Sequence, residues 1–125
     1  MGNATGKGSE ASGSEAGVYA AMELLGQRWM LRTVWELEPG PLGFLELRRR
    51  MGNCSSSMLA DRLATLTDVG IVEKLPDKRY ELTAHRGLAL GTALEGLWTW
   101  ADRNTAILLA NSRRLEPGEN ARRRD

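Results

Sequence analysis

A mainly helical (α+β) fold with one small β-hairpin is predicted by three features of the sequence. Apolar residues recur at i, i+3/i+4 and i+7 spacing over most of the chain. Pro, Gly and Asn punctuate those stretches at short intervals. From Ile71 to Thr83 the period switches to strand-like alternation around Pro76-Asp77-Lys78. The 125 residues hold about one domain.

The elements follow in order. Val18, Met22 and Leu25 form a helical stripe over 16–25, interrupted by Gly26 and Gln27. Trp29, Met30, Leu31, Val34, Trp35 and Leu37 predict a second helix over 28–37. Pro39-Gly40-Pro41 ends it, because Pro lacks an N–H and biases its predecessor to extended backbone. A short third helix over 42–51 turns Phe44, Leu47 and Met51 inward and gathers Arg48, Arg49 and Arg50 at its C-terminal end, where cations suit the helix dipole. Gly52-Asn53 make a turn, and Ser55 is placed to cap a fourth helix over 55–69. That helix buries Leu59, Leu63 and Leu66, presents Ser57, Asp61, Ala64, Thr65 and Asp68 on its other side, and stops at Gly70 in a left-handed cap. Strands over 71–75 and 79–83 flank a tight turn. Thr83 caps a last, long helix over 84–110 with Leu90, Leu94, Leu97, Ala101 and Leu108 on one stripe. Gly inside a helix costs about 1 kcal/mol against Ala, so Gly87 and Gly91, and Gly96 likewise, are expected at close contacts.

Helix, helix, helix, helix, hairpin, long helix spells a winged helix-turn-helix. Residues 42–51 are its first helix, 55–69 its reader and the two-stranded hairpin its wing. Residues 1–15, dominated by Gly, Ser, Ala, Asn, Thr, Lys and Glu, are expected to be a disordered tail. Residues 113–125, with five Arg, are expected to be a disordered basic one. That leaves one domain over 16–112, small enough that dimerisation would add to its stability.

Composition excludes several classes of function. Seventeen Lys and Arg against 16 Asp and Glu give a net charge of +1, neither an acidic tail nor a polybasic coat. No apolar run is long enough to span a membrane, and no basic start followed by an apolar stretch marks a secretory leader. Cys54 is the single cysteine, which excludes an internal disulfide and a Cys-rich metal cluster and suits a reducing cytoplasm. One histidine, His85, completes no metal site, and no cofactor is expected. With no Gly-rich phosphate loop, nucleophile motif or paired carboxylates, the chain has no acid–base machinery and reads as no enzyme.

Binding to double-stranded DNA fits the residues better. Arg48, Arg49, Arg50, Lys74, Lys78 and Arg79 are candidate phosphate contacts, the first three one turn before the reader and Lys78-Arg79 at the wing tip. The bland alternative is a solvated helix end and strand. Ser56 and Ser57, at the start of the reader, are short enough to meet base edges, whereas Ser55 is a structural cap. Asp61 is either a plain surface carboxylate or an acceptor for a cytosine amino group. Arg62, on the helix flank, is either a phosphate contact or part of an internal ion pair.

Several segments together resemble the HxlR-type transcriptional regulators. They are Leu24-Leu25-Gly26-Gln27-Arg28-Trp29, Gly40 to Leu47, Ser55 to Leu63, Leu66 to Lys74, Tyr80-Glu81-Leu82-Thr83 and Leu97 to Trp100. They keep one register over about residues 18–103. The resemblance implies a bacterial homodimer, joined through its first and last helices, with a winged-helix DNA-binding unit. The chain departs from the family's pattern at Gly43, where an Arg commonly precedes the Phe, at the short Pro76–Arg79 link, and at Asp61, where a neutral side chain is common. Each departure is expected to weaken DNA contact. The N-terminal cysteine that many members use as a redox sensor is missing, so sensing by that route is not expected.

Four tryptophans are many for so short a chain. One reading is core and dimer packing. The other is a pocket for a small planar aromatic effector lined by Tyr19, Met22, Trp35 and Trp98. Cys54, just before the reader, packs as a small hydrophobe or, with its pKa lowered by the helix end, responds to oxidation. The function expected is a sequence-specific DNA-binding regulator, a repressor, acting as a homodimer on a pseudo-palindromic operator. The alternative is a winged-helix protein–protein interaction module with weak or no DNA binding.

Overall fold

The computed structural model describes residues 13–115, which cluster into two compact units that divide between Ala89 and Leu90. The first contains α1 (Gly13–Leu25), α2 (Met30–Leu37), α3 (Phe44–Arg50), α4 (Ser56–Asp68), β1 (Val72–Lys74), β2 (Tyr80–Leu82) and the first turn of α5 (Arg86–Arg103). The second contains the remainder of α5 and α6 (Thr105–Leu115). Helix α1 begins three residues inside the stretch 1–15 expected to be a tail, and α6 runs past residue 112. The rest of both expected tails, 1–12 and 116–125, lies outside the described residues.

The core of the first unit is built from the stripes the periodicity marks. Met30, Val34 and Leu37 on α2, Leu47 on α3 and Met51 at its end, Leu59, Leu63 and Leu66 on α4, and Ile71, Val72 and Leu82 from the hairpin are all buried. Phe44, expected inward, is only half-buried. Thr33 is the one fully buried polar side chain among the described residues, and its hydroxyl donates to the Trp29 carbonyl at 2.7 Å. Arg32 donates to the Arg50 carbonyl at 2.8 Å, closing the open end of α3 against α2.

The hairpin is antiparallel, with Val72 opposite Leu82, Glu73 opposite Glu81 and Lys74 opposite Tyr80. Its loop is a turn with Pro76 and Asp77 at its centre, followed by Lys78 in the left-handed region at φ 75°, a three-residue hairpin connection. Leu42 forms an isolated bridge with Tyr80, the two exchanging N–H···O bonds of 3.0 and 2.8 Å. The sequence places Leu42 in a helix; instead it adds a third strand point, and α3 starts at Phe44. Thr83 joins wing to helix. Its hydroxyl donates to the Gly70 carbonyl at 2.7 Å and accepts from the Gly87 N–H at 2.9 Å. Gly70 sits at φ 79° as its cap role requires. Gly87 has no room for a side chain, since a Cβ there would collide with the Ile71 carbonyl. Gly96, by contrast, faces open space, against expectation.

Two further differences from the sequence reading have identifiable reasons. The second helix starts at Met30, not residue 28, because Trp29 is left-handed at φ 72° and turns the chain between α1 and α2. The single helix expected over 84–110 is two helices interrupted at Asn104. There the Asn104 amide donates to the Trp100 carbonyl at 2.8 Å and the Thr105 hydroxyl to the Asp102 carbonyl at 2.9 Å. The Asn104 N–H turns back to Ala101 at 3.1 Å. Short polar side chains that bond nearby carbonyls compete with the regular helical ladder.

Candidate nucleic-acid interface

Helix α4 opens as the sequence predicts. The Ser55 Oγ accepts from the Met58 N–H at 3.2 Å, a side-chain N-cap, and lies 3.1 Å from the Ser57 hydroxyl. Ser56 and Ser57 are exposed in the first turn. Asp61, four residues after Ser57 and therefore on the same face, is exposed as well.

Arg62 does not join that face. Its Nε donates to the Arg28 carbonyl at 2.7 Å and its Nη1 to Asp61 at 2.7 Å. Its side chain is 17% exposed against 66% for Asp61. The internal ion pair is thus the arrangement found, and the separate bond to the Arg28 carbonyl ties α4 to the turn before α2.

The three arginines at the end of α3 are each engaged. Arg48 Nε donates to the Cys54 carbonyl at 2.5 Å, bracing the chain where it enters α4. Cys54 itself is buried. Arg49 and Arg50 both turn back to Glu46: Arg49 Nη2 reaches Oε1 at 2.7 Å and Oε2 at 2.5 Å, and Arg50 Nε reaches Oε2 at 2.8 Å. These guanidiniums, Arg49 first, hold the Glu46 carboxyl down to about 2.

At the wing tip Asp77 plays the same part. It accepts from the Arg79 N–H at 3.0 Å and the Arg79 Nε at 2.8 Å, and these bonds lower its pKa, the backbone one most. Lys78, beside it, is exposed. Lys74 lies over the Tyr80 ring, 5.5 Å from its centroid. The wing tip and the first turn of α3 face one another across an open groove of about 470 Å³ lined by Phe44, Leu45, Glu46, Lys74, Lys78 and Tyr80, among others. The structure therefore brings Lys74, Lys78 and Arg79 to the edge where Glu46 holds Arg49 and Arg50.

The four effector candidates are distributed otherwise. Tyr19 and Met22 are exposed on α1, the Tyr19 hydroxyl donating to Glu15 at 3.0 Å. Trp35 is exposed on α2. Trp98 is half-buried on α5, in the second unit. None of the four lines the groove at the wing. Among the described residues no cluster of His, Cys, Asp or Glu could hold a metal ion, and no helix is long and apolar enough to cross a membrane.

A sequence profile of the HxlR-like helix-turn-helix family matches residues 24–107. The protein belongs to that family. It is accordingly a DNA-binding transcriptional regulator of winged helix-turn-helix type, and not an enzyme. This HxlR-like chain is 36% identical over 89 residues to the HTH-type transcriptional regulator YodB of Bacillus subtilis, covering 66% of the chain and 79% of YodB. It is similar to the crystal structure of quinone-bound YodB, with a TM-score of 0.63, 35% identity, and coverage of 69% of this chain and 94% of that one. A possible HxlR family transcriptional factor from Thermoplasma volcanium gives a TM-score of 0.61 at 25% identity, covering 68% and 81%.

Sequence reasoning missed Glu46, Arg28 and Leu42. Glu46 was detectable: a carboxylate three and four residues before two arginines on one helix is a pairing signal. The Arg28 carbonyl is a backbone group, and nothing in its side chain announces that Arg62 will find it.

Proposed function

We propose that this HxlR-like protein is a homodimeric repressor that reads a pseudo-palindromic operator in the cytoplasm. Ser56, Ser57 and Asp61 would face the base edges. Arg48, Arg49, Arg50, Lys78 and Arg79 would flank them on the phosphates, with Arg62 acting from behind the reader. The observation that carries this reading is the exposed, serine-capped start of α4 with a cationic α3 end beside it and a cationic wing tip on the same unit. Large apolar side chains left exposed support a homodimer through the first and last helices: Val18, Tyr19 and Met22 on α1, Leu97 and Trp100 on α5, and Ile107 and Leu109 on α6.

Binding of the protein to its own upstream region, titrated at two salt concentrations, tests the proposal. Specific binding with a steep salt slope, lost in an Arg49→Ala plus Arg79→Ala variant, is expected. Binding that is absent or insensitive to salt favours the second reading, a protein–protein interaction module. One observation speaks for that module: Arg49 and Arg50 share the Glu46 carboxylate and Arg79 is paired with Asp77, so carboxylates on the same surface offset part of their charge.

Response to a small planar aromatic effector is part of the proposal, supported by the likeness to a quinone-bound YodB structure. Tyr19, Met22, Trp35 and Trp98 are the side chains offered for it. A quinone that changes tryptophan fluorescence and DNA affinity in the intact protein, with the fluorescence change lost in Trp98→Ala, is the expected outcome.

A further inference from the structure

The arginines nearest the reader are not presented to solvent as open cations. Glu46 occupies Arg49 through both carboxylate oxygens and Arg50 through Oε2, so the three side chains together carry a single positive charge. Glu46 also lines the groove between α3 and the wing, the edge along which Lys74, Lys78 and Arg79 are gathered. A duplex approaching that edge meets two guanidiniums already engaged by a carboxylate. All three side chains remain solvent-accessible, with Arg49 67%, Arg50 45% and Glu46 36% exposed, so the arginines are free to change partner without unfolding anything. Exchange of a carboxylate for a phosphate is close to balanced when the phosphate sits loosely. It becomes favourable only where shape fit holds the phosphate at hydrogen-bond distance.

We propose that Glu46 determines specificity by withholding Arg49 and Arg50 from DNA of arbitrary sequence and releasing them on the operator. The inference rests on the DNA-binding reading above. On random duplex the protein grips through the wing and the helix backbone alone. On its operator the closer docking of α4 brings phosphates near enough to draw both guanidiniums from Glu46. The carboxylate thus lowers non-specific affinity more than specific affinity, which widens the ratio between them.

The test is a cycle with Glu46→Gln and the pair Arg49→Gln plus Arg50→Gln, each alone and combined. It is read on a fragment of the protein's own upstream region and on a duplex of shuffled sequence, over a range of salt. Glu46→Gln is expected to raise affinity for the shuffled duplex at least about threefold and to steepen its log–log salt dependence by about one to two, because each freed arginine displaces about one counterion. In the parent protein the double arginine change should lower operator affinity at least about tenfold and shuffled-duplex affinity by much less. In the Glu46→Gln background it should abolish the threefold gain. A gain that survives loss of both arginines means simple repulsion by Glu46 and overturns the clamp, as does an unchanged salt slope. Each variant is first shown to keep the parent's thermal midpoint; should Glu46→Gln shift it, Glu46→Asp, whose shorter arm holds one arginine at most, replaces it, with a smaller gain and a slope change of about one at most expected. If the parent protein binds neither duplex, the DNA reading itself fails and this inference with it; if the parent binds and the cycle is flat, only the clamp fails.

Discussion

At Gly87 an ångström decides. A Cβ added there would strike the Ile71 carbonyl and lie 2.9 Å from the Leu82 Cβ, so backbone rather than a flexible tip would have to move. Gly87→Ala is expected to cost about 1–3 kcal/mol in chemical denaturation, although Ala is the better helix former. Glu46 makes a prediction about acid. Its folded-state pKa of about 2 lies below its ordinary 4.5, so its pairing favours the folded state above that ordinary value and is lost as pH falls toward 2. A carboxyl-detected NMR titration should place its midpoint near the lower figure, and Arg49→Gln should raise it. At this scale the sequence was legible wherever one residue does one local job. Ser55 caps and Gly70 takes the left-handed backbone because few other residues do either well. It was illegible where a side chain reaches a carbonyl 34 positions away, as Arg62 does.

Most element boundaries were legible to within two or three residues, the split and longer last helix apart, and two of the discrepancies have a competing interaction behind them. Leu42 gives its backbone to Tyr80 instead of to a helix, and Asn104 and Thr105 turn their side chains on the carbonyls behind them. Apolar spacing reports which face is buried and is blind to both. The buried stripes it found hold the unit together, and Leu59, with no exposed surface, is the sharpest probe. Leu59→Ala should lose about 2–5 kcal/mol in the same denaturation assay. The wing carries an internal conflict that alternation does not reveal: Glu73 stands directly opposite Glu81. Desolvation first, then the neighbouring Glu73 carboxyl, push the Glu81 pKa up. Since the folded wing holds that proton more tightly than the unfolded chain, stability should rise as pH drops through the raised value. Glu81→Gln should raise the thermal midpoint at neutral pH and remove the rise on acidification.

For the whole molecule, the winged-helix architecture could be read from the order of the elements and the family from the resemblance of several segments, whereas joining through the first and last helices could be read only as implied by that resemblance. A stripe of apolar residues looks the same whether it faces the chain's own core or a second copy. Met22 and Ile107, at 62% and 69% exposed, show that these stripes are not used up within the chain. Met22→Glu and Ile107→Glu are each expected to shift the protein from dimer to monomer in sedimentation equilibrium, while the far-ultraviolet spectrum stays unchanged. Affinity for a two-half-site fragment should fall much further than affinity for a single half-site. The strut from Arg62 to the Arg28 carbonyl bears on how such a protein would be misread genetically. A hunt for lost repression would return residue 62 beside the serines of the reader, and its basic character would invite the label of a phosphate ligand. Its side chain instead bonds the reader helix to the corner where Trp29 bends the chain. Lesions there should therefore blunt recognition of every operator alike, leave the ionic-strength dependence intact, and be repaired by changes at that corner rather than in the DNA.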